Sequence, residues 1–129
     1  MKAAELTAIA AEVRKSAYAP YSNLQVGAAL LTDEGQVFTG CNVENASYGL
    51  AICAERVAVF TAIAAGAKTF SAIAISMPSG GSPCGACRQV LNEFNPAMQV
   101  YLADQNGECI STSLLNDLLP QAFGPENLE

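Results

Sequence analysis

The sequence predicts an α/β protein in which helices cover both faces of a mixed sheet of about five strands, a three-layer α/β/α arrangement. Two turn signatures, Asp33-Glu34-Gly35 and Asp104-Gln105-Asn106-Gly107, each separate a pair of strand-like runs. Between these hairpins the chain reads helix, strand, helix. Its 129 residues suit one globular domain, residues 1–129, and leave no room for two ordinary ones.

Taken in order, Leu6, Ile9, Ala10 and Val13 recur at helical spacing, so the first element is a helix that ends before Pro20. Tyr18 to Ser22 form its exit loop. In the first hairpin Leu24, Val26, Ala28 and Leu30 alternate with Gln25, Gly27 and Ala29, and the returning run holds Val37, Thr39, Cys41 and Val43. Asn42 and Glu44 fall two apart at the far end of that strand, hence on one face, ahead of a loop from Asn45 to Gly49. Ile52 to Ala65 reads as a helix buried on most sides, with only Glu55 and Arg56 charged and Gly66 as its stop. Ser71 to Met77 is a short apolar strand, and the Ser/Gly/Pro loop Pro78 to Pro83 delivers the chain to a helix running from about Cys84 through Phe94. The second hairpin joins Val100–Ala103 to Glu108–Ser111, and Leu114 to Leu119 make a last short helix before Pro120. The helices after residues 52 and 83 each follow a strand-to-loop passage. Their N-termini are therefore expected along one edge of the sheet, where α/β folds place their sites.

Composition narrows the function. Charged residues make up 14% of the chain against roughly 25% in typical soluble domains, so part of the surface is expected to be covered by another copy. The net charge of −6, with no Lys/Arg cluster, argues against a nucleic-acid partner, because such affinity rests on cationic contacts to phosphate. The absence of His removes Ser-His-Asp and Cys-His catalysis and His-ligated metals together. Five Cys is an odd number for a secreted disulfide framework, and Met1 to Ser16 reads as an amphipathic helix rather than a signal peptide. The longest apolar-looking run, Val57 to Ala65, is too short to cross a bilayer. A soluble, cytoplasmic protein with reduced thiols and no membrane association is expected.

The chemistry sits in two helix starts. Cys53-Ala54-Glu55 opens one, and Pro83-Cys84-Gly85-Ala86-Cys87 opens the other. Cys84 and Cys87 share a face of a first helical turn, and Cys53 comes from the opposing helix start, so three thiols are expected to converge. Helix N-termini favour thiolates, and soft thiolates favour zinc, one Zn²⁺ per chain. Three protein ligands leave a coordination position for water, as catalytic zinc sites do and structural ones do not. Cys41 or Cys109 could supply a fourth ligand, although a Cys inside a strand-like run is usually a small buried hydrophobe.

Glu55 follows a ligand by two residues, close enough to face the open position and move protons to and from a water whose pKa zinc lowers from about 15.7 to about 7. A blander role, favouring the helix dipole, is compatible with this. Arg56 can offset the net negative charge of three thiolates on Zn²⁺, or be an ordinary surface Arg. Two other readings remain at this point: a zinc-stabilised interaction module without chemistry, which needs a fourth ligand, and a redox dithiol.

The segments Tyr21-Ser22-Asn23-Leu24-Gln25-Val26-Gly27-Ala28-Ala29-Leu30, Gly40-Cys41-Asn42-Val43-Glu44-Asn45-Ala46-Ser47-Tyr48, Cys53-Ala54-Glu55-Arg56 and Pro83-Cys84-Gly85-Ala86-Cys87-Arg88-Gln89-Val90-Leu91 resemble the small homotetrameric cytidine deaminases over nearly the whole length. The resemblance implies deamination of cytidine and 2′-deoxycytidine to the uridines with release of ammonia, a step of pyrimidine salvage. Zinc-bound hydroxide would attack C4 and Glu55 would shuttle protons, as in zinc deaminases generally. It implies Cys53, Cys84 and Cys87 as zinc ligands and Arg56 as their charge balance. Asn42 and Glu44 would bind the ribose hydroxyls, with Leu24, Val26 and Ala54 completing the substrate pocket. Ala46 and Tyr48 would reach the sugar in a neighbouring subunit's site, and Phe123 would close over the base. The family usually has Phe where this chain has Leu24, so weaker stacking on the pyrimidine and a raised Michaelis constant are expected. That departure keeps a base-modified cytosine nucleoside in play as an alternative substrate.

Overall fold

The computed structural model describes residues 1–128. Five strands, β1 (Gly27–Thr32), β2 (Val37–Cys41), β3 (Phe70–Ser76), β4 (Gln99–Ala103) and β5 (Cys109–Leu114), form one sheet in the order β2-β1-β3-β4-β5. β3 and β4 run parallel; every other neighbouring pair is antiparallel. Helices α1 (Ala3–Arg14), α2 (Ala54–Ala64), α3 (Gly85–Phe94) and α4 (Leu115–Leu118) complete the expected α/β/α layering. No helix among the described residues is long and apolar enough to cross a membrane.

The two faces of the sheet bury different side chains. On one, Leu6 and Ala10 of α1 pack on Ala29, Ala72 and Ala74. On the other, Ala54, Ala58, Val59 and Ala62 of α2, Leu91 of α3 and Leu115 of α4 cover Ala28, Leu30, Ile73, Ile75, Val100 and Leu102. Because β1 lies inside the sheet with helices on both sides, Gly27 through Leu30 are all buried, and the alternation read from the sequence is not an inside-outside one.

β1 also begins at Gly27 rather than Leu24. Asn23 turns the chain just before the run (φ 60°), the Asn42 side chain takes the Leu24 carbonyl and the Val26 N–H, and Leu24 is 43% exposed. β2 stops at Cys41, and Val43 instead bridges Tyr18 and Ile52. β5 extends to Leu114, beyond the expected Ser111, since Ser111 to Ser113 continue the ladder with β4 along the exposed edge. α2 is less enclosed than expected: its buried stripe leaves Phe60, Thr61 and Ala64 on an open outer face. Gly66 ends it as the sequence suggests, with φ 94°.

α2 and α3 follow β2 and β3, which point the same way across antiparallel β1. Their N-termini therefore meet at one sheet edge. α2 is seated there through Gly40, where an added Cβ would lie 2.4 Å from Ala58 N and 2.5 Å from Ala54 O. Only a residue without a side chain lets this helix lie so close to β2.

Candidate zinc centre and active site

Cys53 caps α2 and Cys84 caps α3, both with extended backbones and neither using its side chain to cap the helix, so both sulfurs are free for other partners. Cys87 lies in the first turn of α3. The Sγ atoms of Cys53 and Cys84 are 3.9 Å apart, those of Cys84 and Cys87 are 3.4 Å apart, and all three lie within 4.8 Å of one another. Tetrahedral zinc with Zn–S bonds of about 2.3 Å places its sulfurs about 3.8 Å apart, so this cluster fits one Zn²⁺. Cys87 is buried, Cys53 half-buried and Cys84 exposed.

Among the described residues no fourth ligand joins the cluster. Cys41 is half-buried, and burial pushes its thiol pKa up. Cys109 is exposed at the start of β5, against the expectation of a buried strand Cys, since an edge strand covers little. A closed structural zinc site is thereby disfavoured.

Hydrogen bonding from Cys87, against the opposing effect of burial and with help from the Arg56 guanidinium, draws the Cys53 thiol down to about 5. Arg56 Nη2 donates to Cys53 Sγ at 3.4 Å, which places a cation on the sulfur as the charge argument requires. Cys87 is pushed the other way, first by its bond to Cys53 and then by burial. Glu55 is only 4% exposed, and desolvation raises its carboxyl pKa, helped by the neighbouring Cys53 charge and opposed by its own backbone N–H and by Arg56.

Cys53, Cys84 and Glu55, though not the buried Cys87, face a cavity of about 390 Å³, a size suited to a small organic ligand. Cys53, Ala54, Glu55 and Cys84 line it from the helix starts, and Leu24, Val26, Asn42 and Glu44 from the opposite wall. Asn42 Nδ2 donates to Leu24 O at 2.7 Å while its Oδ1 accepts from Val26 N at 2.8 Å. One amide thus shapes a wall that has left the β ladder. Glu44 Oε1 accepts from the backbone N–H groups of Tyr21 and Ser22, each at 3.0 Å, and Oε2 from the Ser22 hydroxyl. The Ser22 hydroxyl, followed by the Ser22 and Tyr21 amides, holds the Glu44 carboxyl below its ordinary range.

Five cavity residues were missed: Ser22, Ala51, Ile52, Met77 and Ser82. Met77 and Ser82 lie in the passage from β3 to α3, a location that could have singled them out. Three expected residues are not brought to this cavity within one chain. Tyr48 is 77% exposed and lines an adjoining hollow of about 360 Å³ with Tyr21 and Asn45, and Ala46 is exposed beside it. Phe123 does not close over the chain's own cavity. It is 57% exposed, and its carbonyl is held by Gln89 Nε2 at 2.8 Å on the outside of α3.

Comparison with known proteins agrees with this geometry. Residues 1–103 match the family described as the cytidine and deoxycytidylate deaminase zinc-binding region. The cytidine deaminase of Sporosarcina psychrophila is 45% identical over 131 aligned residues, covering 99% of this chain and 96% of its own. The crystal structure of cytidine deaminase from Burkholderia pseudomallei superimposes with a TM-score of 0.89 at 51% identity, covering 95% of this chain and 100% of that one. That of Mycobacterium tuberculosis gives 0.80 at 42% identity, covering 93% and 95%. With a fold, a three-thiol zinc centre and near full-length similarity all in agreement, the chain belongs to the cytidine deaminase family of enzymes.

Proposed function

We propose that the chain, acting over residues 1–129 as one catalytic domain, hydrolyses cytidine and 2′-deoxycytidine to uridine and 2′-deoxyuridine with release of ammonia. The observation that carries this reading is the buried Glu55 beside three sulfurs, on the floor of a 390 Å³ cavity whose far wall presents Asn42 and Glu44. Cys53, Cys84 and Cys87 hold the zinc, which when bound supplies Lewis acidity that brings the pKa of water near 7.

The remaining work falls to the protein's own groups. Glu55, as carboxylate, takes a proton from the attacking water and passes it to ring N3 as the C4–O bond forms. It then takes the second water proton from the C4 hydroxyl and gives it to the departing amine, so the C4–N bond breaks as ammonia leaves. A carboxyl whose proton affinity is raised by burial is suited to both directions of this transfer. Arg56 keeps the thiolate cluster from accumulating negative charge.

Asn42 and Glu44 retain capacity for a sugar. Asn42 has a second Nδ2–H beyond the one given to Leu24, and Glu44 Oε2 has a lone pair beyond the one used by Ser22. They would bind the ribose hydroxyls, Asn42 as donor and Glu44 as acceptor. Leu24, an aliphatic exposed at the rim, favours base-modified cytosine nucleosides as a second substrate class. The exposed Ala46, Tyr48 and Phe123 suit a homotetramer in which neighbouring subunits complete each site, acting in cytoplasmic pyrimidine salvage.

The test is the ultraviolet absorbance change of cytidine with purified protein, beside a Glu55→Gln variant shown to retain zinc. Conversion by the wild type and its loss in the variant are expected. A zinc-loaded wild type that leaves both cytidine and 2′-deoxycytidine unchanged would overturn the reading.

A further inference from the structure

We propose that Arg88 is a positioning residue of the zinc centre, a three-pronged clamp that fixes the loop carrying Cys84. The three ligands are not equally anchored. Cys53 caps a helix seated directly on β2 through Gly40, and Cys87 is buried within α3. Cys84 is exposed, and it ends a loop between β3 and α3 that contains Gly80, at φ 66°, and Gly81. Cys84 is thus the most exposed of the three ligands, with buried Pro83 just before it and exposed Ser82 before that.

Arg88 adds directional bonds to this packing. Its Nε donates to Pro83 O, its Nη2 to Ser82 Oγ and its Nη1 to Leu118 O, each at 2.7 Å. Two prongs grip the two residues immediately before Cys84, and the third ties them to the last residue of α4, which is anchored by the fully buried Leu115. The planar guanidinium is built for such divergent, directional donation, and Lys would have to make the same contacts with a single nitrogen. Among the described residues the one ion pair is Lys15–Glu12, so Arg88 spends its donors on neutral oxygens rather than on a carboxylate. Its function there is to hold geometry.

A clamp that orders Ser82 to Cys84 before metal arrives removes an ordering cost from metal binding. Groups that orient ligands in this way are typically worth 10–100-fold in metal affinity. Ser82 also lines the cavity, and since its oxygen accepts from Arg88, its hydrogen is left to point elsewhere.

The proposal rests on the three thiols holding zinc, and the experiment separates the two claims. Zinc affinity of wild type, Arg88→Ala and Arg88→Lys is measured by competition with a chromophoric chelator. The cobalt(II) forms are compared by their thiolate charge-transfer and ligand-field bands, and melting is followed with and without metal. The expected result is affinity about 10–100-fold weaker in Arg88→Ala, with little recovery in Arg88→Lys. Altered cobalt bands and a smaller metal-induced rise in melting temperature are also expected. Wild-type affinity and spectra in the variants, or equal melting losses with and without metal, would overturn the clamp and leave the zinc centre standing. A wild type that binds no zinc would overturn both. If Arg88→Ala does not fold, Arg88→Lys, which keeps the charge and most of the volume, decides the matter alone.

Discussion

Replacing Gly40 with alanine tests whether the seat of α2 on β2 sets the geometry of the active site. The added Cβ would sit 2.4 Å from Ala58 N, 2.5 Å from Ala54 O and 3.0 Å from Val57 C. Ordinary contact begins near 3.4 Å. All three neighbours are backbone atoms, so none can swing aside, and α2 must retreat by about 1 Å in an interior packed like a crystal. Overpacking of this kind costs about 3 kcal/mol at the upper end of its usual range, a fall of about 1–2 M in the urea midpoint for a chain this size. The retreating turn carries Cys53 and Glu55, and a displacement of about 1 Å in a catalytic group can lower the rate ~100-fold. Urea unfolding, zinc content and kcat/KM should therefore fall together in Gly40→Ala. Gly49→Ala is the control, because nothing lies within 4 Å of its added Cβ. A Gly40→Ala protein with wild-type midpoint and wild-type kcat/KM would refute the reasoning.

Two further substitutions probe the opposite wall. Glu44 is held below its ordinary pKa chiefly by the Ser22 hydroxyl, so what it contributes to the loop is fully present above the unfolded carboxylate value, about 4.3, and is lost as pH falls through the lower folded value. Ser22→Ala should move that acid limb upward, read by NMR titration of the Glu44 carboxyl and by the pH dependence of KM. An unchanged titration would show that Ser22 does not act on Glu44. Leu24→Phe should lower KM for cytidine about two- to tenfold with little change in kcat, the equivalent of ~0.5–1.5 kcal/mol of stacking on the base. A KM no lower than that of the wild type would count against Leu24 as a wall of the base pocket.

What was legible in the sequence was what short spacings determine. Cys84 and Cys87 must share a helical face, the opposed helix starts bring Cys53 to them, and Cys-Ala-Glu places the carboxyl two residues from a sulfur; the structure bears out the convergence, at 3.9 Å between Cys53 and Cys84, and adds the burial of Glu55. Gly35 and Gly66 punctuate the hairpin and α2 as read, each with positive φ. The failures share a cause in tertiary structure. Leu24 and Val26 alternate like strand residues, yet Asn23 turns the chain and the Asn42 amide, from another segment, takes over their backbone bonding. The grip of Arg88 on Leu118 joins positions 30 residues apart and leaves no local signal. Phe123 is a separate case, since its reading as the aromatic over the base belongs to a site shared between subunits; within one chain its carbonyl is held by Gln89 outside α3.

The two helix starts divide the labour of the site in a way their charges explain. Three thiolates on Zn²⁺ would carry a net charge of −1, which would oppose both acidification of water and ionisation of a nearby carboxylate. α2 answers this within a single turn: Cys53 supplies one sulfur, Arg56 lays a guanidinium on that same sulfur, and Glu55 between them turns into the cavity. The guanidinium on the sulfur and the carboxyl in the cavity are thus fixed to one rigid element. α3 carries the other two sulfurs and no acid in its first turn, and its own cation, Arg88, faces carbonyl and hydroxyl oxygens instead of sulfur. On the roles proposed above, Arg56 would adjust the electronics of the centre and Arg88 its shape. The two should respond differently to replacement by lysine, since a point charge can partly serve the first purpose and cannot reproduce a three-way fork for the second.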